Sequence, residues 1–393
     1  FSKVHAFNND EGVDPMASLL NVDGKLWGMT AKGGAEGYGT IFTVDSDGSN
    51  FIQIHEFTST DGAFPWNNLV RKGDKLWGVT YYGGNNHKGV IFSINTDGSG
   101  FTKIYDFNGI DGGIPYGGMV ENDGKFFGST FAGGVNNKGV IFSIEPTGSN
   151  YTKLHDFSYS SGTGVYGNLF AASERLWGLA SQGGSNEYGV VFSISGDGGD
   201  YSIEHEFDGV NGGGPTGELV ESNGRFWGLT RGGGEGNFGA VFSLATDGSD
   251  YIKHVDFNES TGRYPGGSLL EYHGKLWGMT YNGGANGYGT VFTLDKFDGI
   301  FVKELDFTED MGGNPYYGSL IAVFEKQHQE ISFSLADKTY GDQPFTLAAT
   351  STTENDVTYT SSNTNVIVIE GDVATLVGSG EVEITASQAE NDF

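Results

Sequence analysis

The sequence predicts an all-β fold, a β-propeller followed by a smaller β domain, and three observations lead to it. Residues 1–324 repeat with a period of 50 residues. The composition includes 67 glycines and 14% aromatic residues, which suits many short strands joined by tight turns. There is no cysteine, so disulfides and thiolate sites are excluded and stability must come from packing.

The repeat is defined by residues that recur at fixed positions. Seven segments align without insertion or deletion, starting at Phe1, Phe51, Phe101, Tyr151, Tyr201, Tyr251 and Phe301. Trp recurs at 27, 77, 177, 227 and 277, with Phe127 in the remaining slot, and Gly-Gly recurs at 33/34, 83/84, 133/134, 183/184, 233/234 and 283/284. Because they recur, we assign these residues to the scaffold, as aromatic core and as turn glycines.

Each repeat is predicted to form four antiparallel strands. In and before the sixth repeat these are Tyr251–Phe257, Ser268–Tyr272, Lys275–Thr280 and Gly289–Leu294. Residues 101–107 alternate apolar and polar side chains, as a strand with two different faces does. Four strands in about 50 residues is the spacing of a kelch-like propeller blade, whereas a β-helix needs a shorter repeat.

The two ends of the repeat region contribute two strands beyond the complete blades. An outer strand, Phe1–Phe7, and an inner strand, Ser319–Phe324, flank six complete sets of four strands. We predict six blades, with one terminal strand completing the last blade. The alternative is a seventh blade that lacks its two middle strands.

The repeat resembles a known family. Leu-Trp-Gly-Met-Thr-x-x-Gly-Gly-x-x-x-Gly-x-Gly-x-x-Phe, with Asp-Gly-x-x-Pro about 30 residues later, is similar to the GloVer tandem repeat of secreted bacterial proteins over residues 1–324. The resemblance implies the fold and specifies no activity.

The repeat stops after Phe324, and residues 325–329 are predicted to be a polar linker. Strands are expected at Ile331–Leu335, Val357–Thr360, Val366–Ile369 and Val382–Ala386. Lys338-Thr-Tyr-Gly-Asp342, Val357-Thr-Tyr-Thr-Ser-Ser-Asn363 and Ile384-Thr-Ala-Ser-Gln388 resemble the MBG-type bacterial Ig-like module. The resemblance implies an Ig-like β-sandwich over 330–393, incomplete at its end, in a longer secreted or surface-anchored chain.

The net charge of the chain limits the kinds of molecule that it is expected to bind. Lys plus Arg is 21 and Asp plus Glu is 50, so the formal net charge is −29, which disfavours nucleic acid and anionic membranes. No apolar run approaches the roughly 20 residues of a membrane span. The chain begins at Phe1 without Met, as a processed secreted protein would, so we expect a secreted or cell-surface location and no membrane insertion.

Strand alternation places the loops after the second and fourth strands of each blade at one end of the propeller. Aromatic and polar residues that depart from the repeat lie there, and we predict that they bind polysaccharide. They are Trp66, Tyr81, Tyr82, His87, Lys88, Tyr116, Lys138, Tyr166, Arg231, Tyr264, Tyr281, Tyr316 and Tyr317. The alternative is that these rings merely cover loop glycines. Lys32, Lys88, Lys138 and Arg231 on these loops favour an anionic ligand.

Catalytic and metal-binding patterns are sparse. Glycosidases use two carboxylates, and Glu187, Glu218 and Glu235 are the candidates at this end. We predict that the recurrent histidines pack in strands and that the Asp-Gly pairs form hairpin turns, with no metal and no cofactor.

The predicted function is therefore an extracellular polysaccharide-binding propeller. A loose resemblance to the lambda-carrageenases implies endo-hydrolysis of an anionic algal galactan, so enzyme activity stays open. The alternative is a non-catalytic adhesion or stalk protein.

Overall fold

The computed structural model describes residues 3–316, 318–323, 330–352 and 356–388. Two compact units divide the chain, Phe1–Val323 and Phe324–Phe393. The predicted linker at 325–329 and Tyr317 lie outside the described residues, as do the ends of the two predicted terminal strands, residues 1–2 and 324.

The first unit contains six four-stranded antiparallel sheets, each made from consecutive strands, and this confirms the predicted repeat of four-stranded blades. Blade 1 has β1 (Leu20–Val22), β2 (Lys25–Thr30), β3 (Thr40–Asp45) and β4 (Ile52–Glu56). Blade 2 has β5 (Val70–Lys72), β6 (Lys75–Thr80), β7 (Val90–Asn95) and β8 (Thr102–Asp106). Blade 3 has β9 (Met119–Asn122), β10 (Lys125–Ser129), β11 (Val140–Ile144) and β12 (Thr152–Asp156).

The second half of the ring follows the same order. Blade 4 has β13 (Phe170–Ala172), β14 (Arg175–Ala180), β15 (Val190–Ser195) and β16 (Ser202–Glu206). Blade 5 has β17 (Gly213–Ser222), β18 (Arg225–Gly232), β19 (Ala240–Ala245) and β20 (Ile252–Asp256). Blade 6 has β21 (Arg263–Tyr272), β22 (Lys275–Asn282), β23 (Thr290–Asp295) and β24 (Phe301–Asp306). Two short 3-10 helices span Glu235–Asn237 and Glu309–Met311.

Alternate residues of the second and third strands face the two neighbouring blades. Trp27 and Met29 of blade 1 pack against Leu76, Phe92 and Ile94 of blade 2. Equivalent clusters form between the following blades, up to the pair of blades 5 and 6. The recurring aromatic residue at 27, 77, 127, 177 and 227 is only 1–3% exposed, so it belongs to the core, as its recurrence predicted.

Hydrogen bonds link residues that lie within or just before the first strand of each blade, together with Ser319, in a circuit around the axis. The bonded pairs, in order, are Ser18–Asn68, Gly118–Asn168, Asn168–Glu218, Glu218–Ser268, Ser268–Ser319 and Ser319–Ser18, at 2.7–3.0 Å. The remaining pair of neighbours in this circuit is Asn68 and Gly118. These two residues lie close together, because a Cβ on Gly118 would lie 3.4 Å from the main-chain oxygen of Asn68. The ring therefore closes on itself through seven positions.

Seven positions exceed the six complete sheets. The prediction that a terminal strand completes the last blade is wrong, since the four strands of blade 6 are consecutive in the sequence, from Arg263 to Asp306. The alternative describes the ring. Residues 318–323 supply an inner segment at the seventh position, where Ser319 bonds to Ser268 and Ser18, and residues 3–7 supply an outer segment, where the main chain of Val4 lies against Gly48. Ser268 and Ser319 are 51 residues apart rather than 50, so one extra residue precedes this position.

The second unit is a small β domain with its own core, built from Leu347, Val366, Ile367 and Ala374. Its strands are β25 (Ile331–Phe333), β26 (Phe345–Thr346), β27 (Ala349–Ser351), β28 (Val357–Ser361), β29 (Ile367–Glu370), β30 (Val373–Leu376) and β31 (Ile384–Gln388). They pair as β25–β27, β26–β30–β29 and β28–β31. All four predicted strands overlap observed ones, and the Ig-like assignment stays a prediction.

Candidate ligand-binding site

The loops after the second and fourth strands of each blade meet at one end of the ring. Main-chain bridges join them, for example Ala63 to Tyr82 and Thr163 to Gln182. The topology therefore places the predicted site residues at a single end, which we call the mouth.

Four partly exposed aromatic side chains form a continuous surface at the mouth, which we call the aromatic wall. Trp66 stacks on Tyr81, with ring centroids 4.2 Å apart and planes 19° from parallel. Tyr116 contacts the Trp66 ring edge-on at 5.0 Å and Tyr166 edge-on at 4.7 Å. Burial, with the neighbouring Tyr82, raises the pKa of Tyr81 to about 12, so its phenol stays neutral at ordinary pH.

A cleft continues from Tyr166 toward blades 5 and 6. Arg231 lies over the ring of Tyr316, with its guanidinium carbon 4.7 Å from the centroid, and 5.7 Å from that of Tyr281. The cleft has a volume of about 430 Å³ and its side chains come from Tyr166, Ser181, Gln182, Tyr188, Thr216, Arg231, Asn237, Tyr264 and Tyr316. None of these described lining residues is acidic, and Arg231 brings a positive charge to the cleft in a chain of net charge −29.

The axis below the mouth is narrow. The cavity between Trp66, Tyr116 and the circuit residues Asn68, Asn168 and Ser268 has a volume of about 30 Å³, much smaller than the cleft beside Arg231. The wider space for a polysaccharide is therefore at the mouth itself.

Glu218 belongs to this circuit. Its carboxylate oxygen Oε2 accepts a hydrogen bond of 3.0 Å from Nδ2 of Asn168, and its main-chain N–H donates to Ser268. Burial raises the pKa of Glu218 to about 7, against the opposing effect of the Asn168 hydrogen bond. Glu218 therefore joins neighbouring inner strands, beneath the surface that a ligand would touch.

The other two candidate carboxylates occupy loop tips. Glu187 is exposed and has φ 65°, a turn conformation that Asn137 and Asn237 adopt at the same repeat position. Glu235 is exposed at the start of a 3-10 helix, and its main-chain N–H donates to Asp256. Neither residue lines the Arg231 cleft.

The remaining predicted binding residues lie around the mouth. Tyr82 and Tyr281 extend the surface beside Tyr81 and Arg231 respectively. Lys138 donates a 3.0 Å hydrogen bond to the hydroxyl of exposed Tyr159 and lies over its ring. The other three residues are exposed. Lys32 forms an ion pair with Asp14, and Lys88 lies against Gly113. His87 lies in a turn with φ 53°.

The recurrent histidines pack as predicted. His55 stacks on Phe101 with centroids 3.7 Å apart, and His155 stacks on Tyr201 at 3.9 Å. Tyr105 takes the same place against Tyr151 in blade 2. No three His, Asp or Glu side chains converge as metal ligands within the described ranges.

Sequence reasoning missed several polar residues of the cleft. Ser181, Gln182 and Asn237 come from loops after second strands, and Thr216 from the bulged strand β17. The hydroxyl of Thr216 is buried and has no hydrogen-bond partner among the described residues. Gln182 departs from the repeat, so the sequence could have marked it as a candidate. The buried position of Thr216 follows from the bulge in β17.

The sequence and the blades agree with one repeat family. The model of the Gloeobacter/Verrucomicrobia repeat matches residues 1–187 and 166–327. The chain belongs to this family. The Gloeobacter/Verrucomicrobia repeat thus covers the whole propeller, as the GloVer resemblance implied, and no curated protein matches the sequence.

Solved structures are similar to this chain at low sequence identity. A GH74 enzyme from Niastella koreensis is 14% identical with a TM-score of 0.52, and the match covers 75% of this chain and 46% of that one. The tricorn protease is 14% identical with a TM-score of 0.46, covering 82% of this chain and 28% of that one. The chain thus spans less than half of either protein. At 14% identity the likeness to the GH74 enzyme shows the fold alone. The described residues include no helix long and apolar enough to cross a membrane.

Proposed function

We propose that the mouth of the propeller binds an extracellular polysaccharide and that Arg231 contacts an anionic substituent on it. The observation that supports this most is the continuity of the aromatic wall with the Arg231 cleft through Tyr166. A chain of sugars needs an extended surface of this kind. A small molecule would need only one pocket.

The chemistry of the surface fits sugars. The faces of sugar rings carry C–H groups that pack on flat aromatic rings, and the Trp66–Tyr81 pair presents such a platform. Gln182 and Asn237 offer amide donors and acceptors for hydroxyl groups. The guanidinium of Arg231 matches the planar geometry of sulfate or carboxylate oxygens.

Binding is better supported than cleavage. A glycosidase places two carboxylates about 5–10 Å apart on either side of the bond. Here Glu187 and Glu235 occupy exposed loop tips of blades 4 and 5, and Glu218 lies in the circuit below the mouth. An anionic algal galactan of the carrageenan type is the ligand to test first, and the propeller would act outside the cell or on its surface.

Affinity electrophoresis in gels that contain lambda-carrageenan tests the proposal. Trp66→Ala should weaken binding about tenfold, because a lost stacking platform is worth about 1–2 kcal/mol. Arg231→Leu should weaken binding to carrageenan and remove much of its salt dependence, because added salt screens a charge contact. Binding to neutral agarose should depend little on salt in either protein.

Phe297→Ala is the matched control. Phe297 is 71% exposed and lies in the turn between β23 and β24, at the end of the ring opposite the mouth. Its loss should leave retardation unchanged. Absence of retardation by every polysaccharide tried, or equal retardation of Trp66→Ala and parent, would overturn the proposal and favour an adhesion or stalk role. Release of reducing ends from carrageenan would instead show hydrolysis.

A further inference from the structure

One position of the repeat places a side chain at the outer rim of the mouth in each of the six blades. It lies between the second and third strands and carries Tyr38, Lys88, Lys138, Tyr188, Phe238 and Tyr288. The main chain here holds the connection to the next blade, since the carbonyl oxygen of Tyr188 accepts a 2.8 Å hydrogen bond from the N–H of Gly214. Of these six side chains, Tyr188 lines the Arg231 cleft.

The ring of Tyr188 lies directly on the main chain of the next connection. A Cβ on Gly209 would lie 2.8 Å from Cζ of Tyr188, and one on Gly213 would lie 2.9 Å from its Cδ1. A side chain at either glycine would therefore displace the ring. Tyr188 nevertheless stays 47% exposed. It offers a flat apolar surface that is in place before a ligand arrives.

Tyr188 lies at the outer end of the cleft and Tyr166 at its inner end. The strands of blade 4 run outward from the axis in the order β13-β14-β15-β16. Tyr166 precedes the inner strand β13, whereas Tyr188 precedes β15 and packs on the loop after the outer strand β16. Arg231 belongs to β18, the second strand of blade 5, and lines the same cleft. A chain of sugars that passes from the aromatic wall to Arg231 would therefore continue outward onto Tyr188.

The charge changes toward the outer end of the cleft. The described lining of the cleft contains Arg231 and no acidic side chain. Beyond it, two exposed carboxylates adjoin the Tyr188 platform in the sequence, because Glu187 precedes Tyr188 and Asp208 precedes Gly209. Carboxylates repel an anionic substituent, but they accept hydrogen bonds from hydroxyl groups. The outer end therefore suits a sugar that carries hydroxyl groups and no charge.

We propose that Tyr188 stacks on an uncharged sugar next to the anionic sugar at Arg231, so that the ligand is a polysaccharide charged on alternate sugars. This assignment rests on the proposed function of the mouth and adds a binding residue beyond the aromatic wall. Tyr166 lies on the inner side of the cleft and Tyr188 on the outer side. The cleft therefore binds an internal unit of the chain rather than its end.

Affinity electrophoresis in two sulfated galactans tests this assignment. The sodium salt of kappa-carrageenan is sulfated on alternate sugars, whereas lambda-carrageenan is sulfated on every sugar. The parent should bind kappa-carrageenan more tightly than lambda-carrageenan. Tyr188→Ala should weaken binding to kappa-carrageenan about fivefold, because the stacking surface is lost. Tyr188→Phe should stay within about twofold of the parent, because it keeps the ring and loses only one exposed hydroxyl.

The repeat supplies matched controls. Tyr288 occupies the same repeat position in blade 6, donates a 3.3 Å hydrogen bond to Glu309 and does not line the cleft, so Tyr288→Ala should bind like the parent. Glu187→Gln should narrow the preference for kappa-carrageenan about twofold, because one repelling charge is lost. Glu36→Gln removes the same charge from an exposed loop of blade 1 and should leave the preference unchanged.

The results separate this assignment from the proposed function of the mouth. If Trp66→Ala weakens binding while Tyr188→Ala binds kappa-carrageenan like the parent, the assignment is overturned and the proposed function stands. The same holds if the parent binds lambda-carrageenan at least as tightly as kappa-carrageenan, or if Tyr188→Ala and Tyr288→Ala lose equal affinity. If the parent binds no polysaccharide, the proposed function and the assignment fail together.

Discussion

Gly178→Ala tests a packing contact that recurs in every blade, because the glycine at this position of the repeat faces the recurrent Phe of its own blade throughout the ring. A Cβ on Gly178 would lie 2.3 Å from Cζ of Phe192. Phe192 is 0% exposed and is held between Phe157 and Tyr201, at centroid distances of 5.4 and 5.5 Å. The ring cannot move away without displacing these neighbours.

The sign of the effect separates packing from backbone entropy. Replacing a glycine by alanine within a strand normally stabilises a protein by about 0.5–1 kcal/mol. Inserting a methyl group into a filled core costs about 1–3 kcal/mol, and ordinary carbon contacts lie at about 3.5–4.0 Å. We expect Gly178→Ala to reduce the free energy of unfolding by about 1–2 kcal/mol after the two effects are combined.

Urea unfolding followed by tryptophan fluorescence measures this, since all six Trp residues belong to the propeller. Phe192→Leu removes the opposing ring, so the double variant should lose at least about 1 kcal/mol less than the two single losses added together. Gly196→Ala is the control, because its Cβ would meet Phe127 at an ordinary 3.6 Å. The reasoning is refuted if Gly178→Ala is as stable as the parent, or if both alanine variants lose the same stability.

Three further predictions concern stability and metals. The pKa of Glu218 is raised to about 7 from 4.5, so its contribution to stability is complete below pH 4.5 and is lost as the pH rises through 7. Glu218→Gln should therefore be more stable than the parent at pH 8, by roughly 1–3 kcal/mol, and identical pH profiles would contradict this. Deletion of residues 1–7 should lower the melting temperature by several degrees, since Phe7 packs on Phe42 at 5.0 Å, and an unchanged melting temperature would exclude closure by this segment. Purified protein should contain no zinc or copper by mass spectrometry, whereas stoichiometric metal that a His55→Ala His155→Ala variant loses would show that the stacked histidines bind it.

The candidate site was predictable in part. The alternation of strands placed Trp66, Tyr81 and Arg231 at one end, because loops after even-numbered strands of an antiparallel sheet share an edge. Which of them touch could not be predicted, since neighbouring loops come from different blades. The contact of Arg231 with Tyr316 joins blade 5 to the loop after blade 6, and the place of Glu218 in the circuit depends on the whole ring.

The sequence by itself determined the strands, the sheet order and the buried faces, because each follows from a local pattern: a period of two along a strand, tight turns at glycine, and recurrence every 50 residues. The positions around the axis were decided by the tertiary structure. A repeat fixes how one blade packs on the next, but the angle between them determines how many positions close the ring. That angle gives seven positions to a chain whose described residues form six complete blades, and Ser319 takes the seventh place in the hydrogen-bond circuit, between Ser268 and Ser18.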